Sequence, residues 1–448
     1  MFVAPAPSIP EMLKSLPGEA VGAALAAPFA GHEADERYLH WDKLCRLDPP
    51  AGLSAEQWWL KLKLSRAGEM RHFPLCDLND NRFGFTLPDA VLRHLHHVDQ
   101  RGSGEVAMDE AVLSEQGARQ RFLVNSLIEE AIRSSQLEGA TTSRRVAKEL
   151  LRTGRKPRDQ SERMIANNYR ALQFMRDEMG DTLNPDAVLE LHRILTEGTL
   201  DDPSAAGRLQ RPGEERVAVY DRDDEEMPIH KPPPAEQLPN RLDLLCKFAN
   251  EPDSAEHFVH PVVRAILLHF WLAYDHPFLD GNGRTARILF FWSMRTRGYW
   301  LAEYLPISRF IRRAPNQYAR AFMEAETDGG DTTYFLIHQL KVIERAIDDV
   351  HAYVQRKTAE VRDVERLLQG DDNLNGRQLA LLTDAVRHPD GTFSFDSHAD
   401  SHRVSHETAR SDLRRLVERG LLVRRRKGRK HLFEPAPDLD ERLKESPV

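Results

Sequence analysis

The run His276-Pro277-Phe278-Leu279-Asp280-Gly281-Asn282-Gly283-Arg284-Thr285-Ala286-Arg287 lies between two apolar segments of helical period, Pro261–Tyr274 and Arg284–Arg297. It predicts a functional loop between two helices. Gly281 and Gly283 around Asn282 let the backbone turn sharply and approach a ligand closely, and the helix that follows turns its free N–H groups toward that bend. Such an N-terminus binds phosphate, and Arg284 and Arg287, three residues apart, project from nearly the same face to add two guanidinium forks. Asp280 then serves as a hard oxygen ligand for Mg²⁺ bridging two phosphates, and His276 at the loop entrance serves as a general base on an incoming hydroxyl. A bare G-N-G would mean only an Asn-Gly turn capping a helix beside a buried histidine. Twelve constrained positions together favour the phosphate site.

The rest of the chain gives that loop its setting. At 448 residues about three domains are expected. With 41% hydrophobic and 29% charged residues the composition is that of a globular chain, neither disordered throughout nor membrane-embedded. Ile288–Trp292 is too short to span a bilayer, and Pro261–Tyr274 carries Arg264 and His269 inside it, so no membrane partner is expected. Near the N-terminus Ala20–Ala30 is small and apolar, but Glu11 and Glu19 stand where a secretion signal has a basic region, which predicts a loosely packed cytoplasmic arm over 1–35. Cys45, Cys76 and Cys246 are far apart, odd in number and without metal-site spacing, and are expected as buried thiols. The spacing of His94, His96 and His97 fits a surface cluster better than a metal site.

Helical periodicity marks Gln120–Leu137, Ser143–Leu151, Ser161–Met179, Pro185–Thr196, Gln237–Ala249 and Tyr334–Lys357 as well. The fold class expected is mainly α. The exception is Arg216–Pro234, where apolar residues flank the acidic Asp221–Glu226 and predict an exposed β-hairpin. A Gly-Asp-Asp-Asn run at 370–373 marks a boundary, after which the charge changes sign. Ser401–Leu432 holds eleven Lys/Arg against three acids, +8, within a chain of net charge -8, so the remainder is -16. Only this C-terminal piece is suited to a polyanion.

The segment His276–Arg287 resembles the H-P-F-x-[D/E]-G-N-G-R-x-x-R signature of Fic domain proteins at every fixed position. The resemblance extends more weakly from about Gln120 to Lys357. It implies a Fic-fold helical core with a small β-hairpin flap, and transfer of AMP from Mg-ATP to a Ser, Thr or Tyr hydroxyl of a target protein, with the chain itself left open as a target. By that resemblance His276 is the base and Asp280 holds Mg²⁺. Gly281, Asn282 and Gly283 surround the α-phosphate, Arg284 and Arg287 bind the outer phosphates, and Phe278 anchors the loop. Kinase-like toxins of the family lack the second glycine, so Gly283 favours AMP transfer. The hairpin Val217–Pro234 is the flap that would hold an extended target segment by main-chain pairing. Gly207-Arg208 matches the approach to it, although Leu209 and Gln210 replace an aromatic and an Arg. Tyr318 matches the region that supplies an aromatic to the adenine pocket, and Gly330-Asp331 the family's G-D, with Asp328 where an Asn commonly stands.

Upstream, Ser134-Ser135-Gln136-Leu137-Glu138-Gly139 is similar to the family's inhibitory motif [S/T]-x-x-x-E-[G/N]. Ser134 and Glu138 share one helix face and Gly139 can end that helix. The motif implies autoinhibition, with Glu138 pairing with Arg287 where the γ-phosphate must go. In some relatives the same glutamate orients a water that removes AMP, so a de-AMPylating hydrolase is the alternative enzyme. A DNA-binding regulator whose Fic core senses nucleotide is the alternative outside enzymes.

Beyond the boundary, helices over Arg377–Arg387, Asp396–Arg403 and Ser405–Arg419, a short strand Thr392–Phe395, and strands Leu421–Arg426 and Lys430–Glu434 turning at Gly428 resemble a winged helix-turn-helix domain. Ser405, His406, Thr408 and Arg410 would then enter a major groove of duplex DNA, with Arg424, Arg425 and Arg426 on a cationic wing. The expected organisation is an arm over 1–35, a helical region over 36–150 with the inhibitory helix at about 120–139, a catalytic core over 151–357 and a winged helix over 371–436. A homodimer is left open.

Overall fold

The computed structural model describes residues 3–27, 37–50, 52–102, 116–217, 219–221, 224–254, 257–369, 374–387, 391–427 and 430–445. Two compact units emerge, one built from 1–104 and 124–348, the other from 105–123 and 349–448. The chain is mainly α. In order, the helices are α1 (Ile9–Ser15), α2 (Gly18–Ala26), α3 (Trp41–Leu44), α4 (Ala55–Glu69), α5 (Asp89–Gly102), α6 (Gln116–Leu137), α7 (Arg144–Thr153), α8 (Gln160–Asp177), α9 (Pro185–Thr196), α10 (Leu238–Asn250), α11 (Pro261–Asp275), α12 (Asn282–Thr296), α13 (Ile307–Arg313), α14 (Pro315–Thr327) and α15 (Thr333–Gln369). They continue with α16 (Gly376–Arg387), α17 (Phe395–His402), α18 (His406–Glu418) and α19 (Leu439–Glu445). Three antiparallel hairpins interrupt them: β1–β2 (Arg71–Cys76, Arg82–Phe85), β3–β4 (Val219–Asp221, Asp224–His230) and β5–β6 (Leu422–Lys427, Lys430–Pro435).

The first unit is organised around α11 and α12. Both are buried nearly all round, with Val262, Ile266, Phe270, Trp271, Ile288, Leu289 and Trp292 in the core, as central helices are. Pro261 supplies the N1 residue of α11, and His260 accepts from Val262 N–H at its cap. A satellite core of Ile128, Ile132, Ala140, Ala147 and Ile165 joins α6, α7 and α8.

Two sequence expectations fail here. Residues 3–27 do not form a loose arm. Ser8 and Glu11 form a capping box at α1, Met12 and Ala24 pack with Leu44, Trp58, Trp59, Leu60 and Leu62, and the Trp59 indole donates to the Pro7 carbonyl at 3.0 Å. The prolines and alanines that read as loose supply a helix start and close contacts; residues 28–35 lie outside the described residues. The region 36–150 is not purely helical either, because it contains β1–β2. Pro74 inside β1 hid the strand, and Asp77 Oδ1 accepts from the N–H groups of Asn79 and Asn81, both at 2.8 Å, to close its turn. The hairpin is sewn to the start of α15 by Gly84 N–H to Gly330 O at 3.0 Å and Thr332 N–H to Gly84 O at 2.8 Å. Of the thiols only Cys246 is buried; Cys45, at the end of the one-turn α3, is exposed. No metal-holding His/Cys/Asp/Glu cluster occurs among the described residues, and His94 pairs with Glu344 at 2.8 Å. Among those residues no helix is long and apolar enough to cross a membrane.

In the second unit α16, α18, β5, β6 and α19 share a core of Leu381, Leu382, Leu413, Leu416, Leu422, Phe433 and Leu439. Phe393 forms an antiparallel bridge to Phe433, a third edge where the sequence predicts a short strand. Buried Asp412 is satisfied by Asn375 Nδ2 and Arg377 Nε, both at 2.8 Å, and faces His398 Nε2 at 3.2 Å. Gly428 and the 370–373 boundary lie outside the described residues.

Candidate active site

The site begins where α11 stops. His276 is its C-terminal cap, in the left-handed conformation at φ 45° and ψ 53°, which costs a non-glycine residue about 1 kcal/mol or more. The surroundings impose it. Arg216 Nη2 donates to the carbonyls of Asp275 at 2.7 Å and His276 at 3.0 Å, and Gln210 N–H donates to Pro277 O at 2.9 Å. Asp275, buried one residue earlier, accepts from Arg241 Nε at 2.7 Å and Trp271 Nε1 at 2.9 Å. Its carboxyl is raised by burial, with the Arg241 guanidinium opposing.

Beyond the histidine the loop closes on itself. Asn282 Oδ1 accepts from Phe278 N–H at 2.9 Å and Asn282 Nδ2 donates to Phe278 O at 2.8 Å. The Phe278 ring, fully buried, stacks on His192 with centroids 3.8 Å apart and planes 6° apart. Gly281 at φ 85° is the αL turn that opens α12.

The chemistry-bearing groups are placed as follows. Burial pushes His276 down to about 4, and neighbouring His230 adds to the shift. The imidazole is therefore neutral near pH 7, and with Nδ1 facing the Ala273 carbonyl at 3.4 Å its Nε2 lone pair is the one left to accept a proton. The Asp280 side chain is about half exposed. It accepts from Gly281 N–H at 2.5 Å and from Arg284 Nη2 at 3.0 Å. Arg284 is fully buried, donates to Leu195 O at 3.2 Å, and has an Nε without a partner.

Arg287 does not face open space. Its Nε donates to Ser134 Oγ at 2.9 Å, and its Nη2 to Ser134 O at 3.2 Å and Glu138 Oε1 at 2.7 Å. Ser134 lies in the last turn of α6, and Glu138 follows that helix with Gly139 at φ 98°. Burial raises the Glu138 carboxyl, but the Arg287 guanidinium outweighs it and holds the group below its ordinary value. The carboxylate lies over the start of α12, where a Cβ on Gly283 would collide with Glu138 Oε1. Two turns back on α6, buried Glu130 accepts from Ser308 Oγ at 2.5 Å and Ser308 N–H at 3.1 Å on α13. Burial pushes its carboxyl up to about 7.

Of the sequence-predicted residues, His276, Asp280 to Arg284, Arg287, Ser134 and Glu138 meet at this one place. Tyr318 lies within electrostatic reach of Arg287 and Glu138, which both act on its phenol. Its OH meets His269 Nε2 at 2.9 Å and its ring packs edge-on against Phe322. Asp328 and Asp331 serve a different task, bonding to Lys63 and Tyr334, and to Tyr38, at 2.7–2.8 Å. The flap β3–β4 is present; residues 222 and 223 of its acidic tip lie outside the described residues. Sequence reasoning missed Arg216, Gln210, His192 and Arg241, since a single Arg or His on a helix or loop carries no spacing signal. Gln210 had been visible only as a departure from a motif.

In the second unit the predicted groove residues are partly engaged. Ser405 caps α18 through Thr408 N–H at 3.2 Å, and His406 meets Asp396 at 2.5 Å. The Arg410 guanidinium lies 5.6 Å from the Phe395 ring centroid. Arg424 bonds to His431 at 3.0 Å and Arg425 to Glu434 at 2.8 Å, while Arg424, Arg425 and Arg426 all keep exposed side chains.

Residues 182–294 match the model of the Fic/DOC family. The chain carries a Fic domain. Its relatives include a protein adenylyltransferase Fic of Nematostella vectensis, 31% identical over 122 residues, which are 27% of this chain and 25% of that protein. The protein adenylyltransferase Fic of Drosophila ananassae is 33% identical over 112 residues, 25% of this chain and 20% of that protein. The chain thus spans a quarter or less of these relatives' length. A Fic family protein of Desulfovibrio desulfuricans G20, known from its crystal structure, superposes with a TM-score of 0.49 at 21% identity, over 79% of this chain and 97% of that one. The matched stretch 182–294 runs from α9 into α12 and includes the hairpin β3–β4 and the whole loop.

Proposed function

We propose that this chain transfers AMP from Mg-ATP to a hydroxyl of a protein, and that Glu138 restrains the reaction by holding Arg287. The observation that carries the reading is the convergence of a neutral, buried His276, the free end of α12 and the Arg284–Arg287 pair on one loop, with Glu138 on the second arginine.

The residues present fit a metal-bound nucleotide. Asp280 offers a half-exposed carboxylate, Arg284 an unpartnered Nε, and the first N–H groups of α12 face a bend where only glycine leaves room. Mg²⁺, when bound beside Asp280, would supply positive charge against the phosphates. The protein's own contribution is orientation and proton transfer. The α12 N-terminus and Arg284 hold phosphate charge, and Arg216 with Gln210 fixes the backbone from which His276 projects. His276 Nε2 takes the proton of the incoming hydroxyl as its oxygen forms the bond to the α-phosphorus and pyrophosphate leaves. Strand pairing with β3–β4 would bring the target segment to that nitrogen. Tyr318, with His269 behind it, would flank the adenine.

Incubation with α-labelled ATP and Mg²⁺, for the parent chain and Glu138→Gly, tests the reading. Label on protein that disappears with His276→Ala supports it. Loss of label from pre-modified protein that requires Glu138 would make AMP removal the activity instead.

For the second unit the supported reading is a winged helix-turn-helix that binds duplex DNA. Three helices followed by a hairpin, the third strand edge at Phe393 and the exposed Arg424–Arg426 row support it. An electrophoretic shift at low salt, falling steeply as salt rises, tests it.

A further inference from the structure

We infer that His192 on α9 is a positioning residue that sets the plane of the Asp280–Gly281 peptide and, through it, the carboxylate of Asp280. The inference rests on the reading of Asp280 as the metal ligand.

The tautomer follows from the neighbours. Gly207 N–H donates to His192 Nδ1 at 3.1 Å. A nitrogen that accepts cannot carry the proton, so the hydrogen sits on Nε2, which faces the Asp280 carbonyl at 2.9 Å and donates to it. The ring has no freedom to do otherwise. It is fully buried and clamped face to face by Phe278, while Thr196 Oγ1 bonds back to the His192 carbonyl at 2.7 Å.

What the bond controls follows from peptide planarity. The Asp280 carbonyl and the Gly281 N–H are opposite edges of one rigid plane. His192 holds the carbonyl edge, and the N–H edge is bonded to Asp280 Oδ1 at 2.5 Å. Fixing one edge therefore fixes the direction of the carboxylate oxygen. Gly281 alone would not keep the plane, because glycine at φ 85° tolerates rotation of the preceding peptide. A side chain at 281 would be strained at that φ and crowded, its Cβ lying 3.0 Å from Thr196 Cγ2 and 3.4 Å from His192 Cδ2. The turn thus needs glycine for space and His192 for direction. Because Gly207 leads into the flap segment through Gln210, the same imidazole ties the metal-bearing turn to the segment that supports His276.

The test separates the two ring nitrogens in the Glu138→Gly background. His192→Gln places an amide N–H near the Nε2 position and keeps the donor to Asp280; His192→Asn keeps an acceptor near Nδ1 for Gly207 and loses that donor. Binding of Mn²⁺ in the presence of ATP is followed by the loss of the free-ion paramagnetic resonance signal, with melting temperature recorded for each variant. Expected is a rise of about ten-fold or more in the Mn²⁺ half-saturation for His192→Asn, of the size seen when partners behind metal ligands are removed, with His192→Gln within about three-fold of the parent. Equal Mn²⁺ affinity in the two variants, or the reverse order, overturns the inference whatever their melting temperatures. A parent that binds no Mn²⁺ with ATP refutes Asp280 as the metal ligand, and the inference with it. If His192→Asn does not fold, His192→Phe, which keeps the stack on Phe278 and lacks both nitrogens, must show the same ten-fold loss.

Discussion

Glu138→Gly should raise the transfer of labelled AMP onto protein by about 30- to 150-fold. The guanidinium of Arg287 is almost fully buried and is held by Glu138 at 2.7 Å and by two oxygens of Ser134. Removing one partner of a buried ion pair costs about 3–5 kcal/mol. The Glu138 side chain keeps 28% of its surface exposed, so solvent screening lowers the value here to about 2–3 kcal/mol. A nucleotide that needs Arg287 must overcome that amount, and at about 1.4 kcal/mol per factor of ten its removal gives the stated range. The assay is incorporation of α-labelled ATP at fixed Mg²⁺ by parent, Glu138→Gly, Arg287→Ala and the double variant. On the proposed mechanism Glu138 only obstructs, whereas Arg287 both receives the obstruction and makes the productive contact, so the double variant should resemble Arg287→Ala alone. Equal incorporation by parent and Glu138→Gly, both abolished by His276→Ala, would refute the reasoning, because the site would then be active and indifferent to Glu138.

Other expectations follow from single groups. His276→Ala should lower incorporation at least 100-fold while ATP affinity, read by calorimetry, stays within about two-fold. Because burial pushes His276 down to about 4, the rate of Glu138→Gly should be flat from pH 6 to 8, and a midpoint near 6.5 in the rate profile would contradict a buried base. Glu130 has its carboxyl raised from 4.5 to about 7 where α6 meets α13. The docked helix therefore holds this proton more tightly than the released one, and docking weakens as pH rises from about 4.5 to about 7 and levels off above. The difference between pH 5.5 and 8 is about 2 kcal/mol, read as faster amide exchange in 124–137 after correction for intrinsic rates; Glu130→Gln should remove the dependence. Changing Arg424, Arg425 and Arg426 together to Ala in the full chain should flatten the salt dependence of DNA binding by up to about three phosphate contacts. An unchanged slope would place the contacts elsewhere.

The helices around the loop were legible because their signal is local. Pro185–Thr196 coincides with its periodic pattern, and Pro261–Tyr274 differs from α11 by one residue, since apolar residues at helical spacing report burial directly. Glycine pairs, an N-cap serine such as Ser405 and a twelve-residue motif likewise carry their meaning in the sequence. The β1–β2 hairpin was not legible, because Pro74 breaks the local pattern and the strand is held by distant Gly330 and Thr332. Residues 3–27 read as loose because their core partners, Trp58, Trp59 and Leu62, come from another part of the chain. The pairing of Glu138 with Arg287 was expected by resemblance alone, as nothing in either residue states a distance across 149 positions. The sequence by itself determined which residue types stand on the loop and that helices flank it. Tertiary structure decided what each of them faces: that His276 is neutral, that Arg287 is taken by Ser134 and Glu138, and that His192 and Arg216 hold the backbone between them. The physical reason is that periodicity and capping act over a few residues, whereas desolvation, ion pairing and hydrogen-bond direction depend on which groups the whole fold brings within a few ångströms.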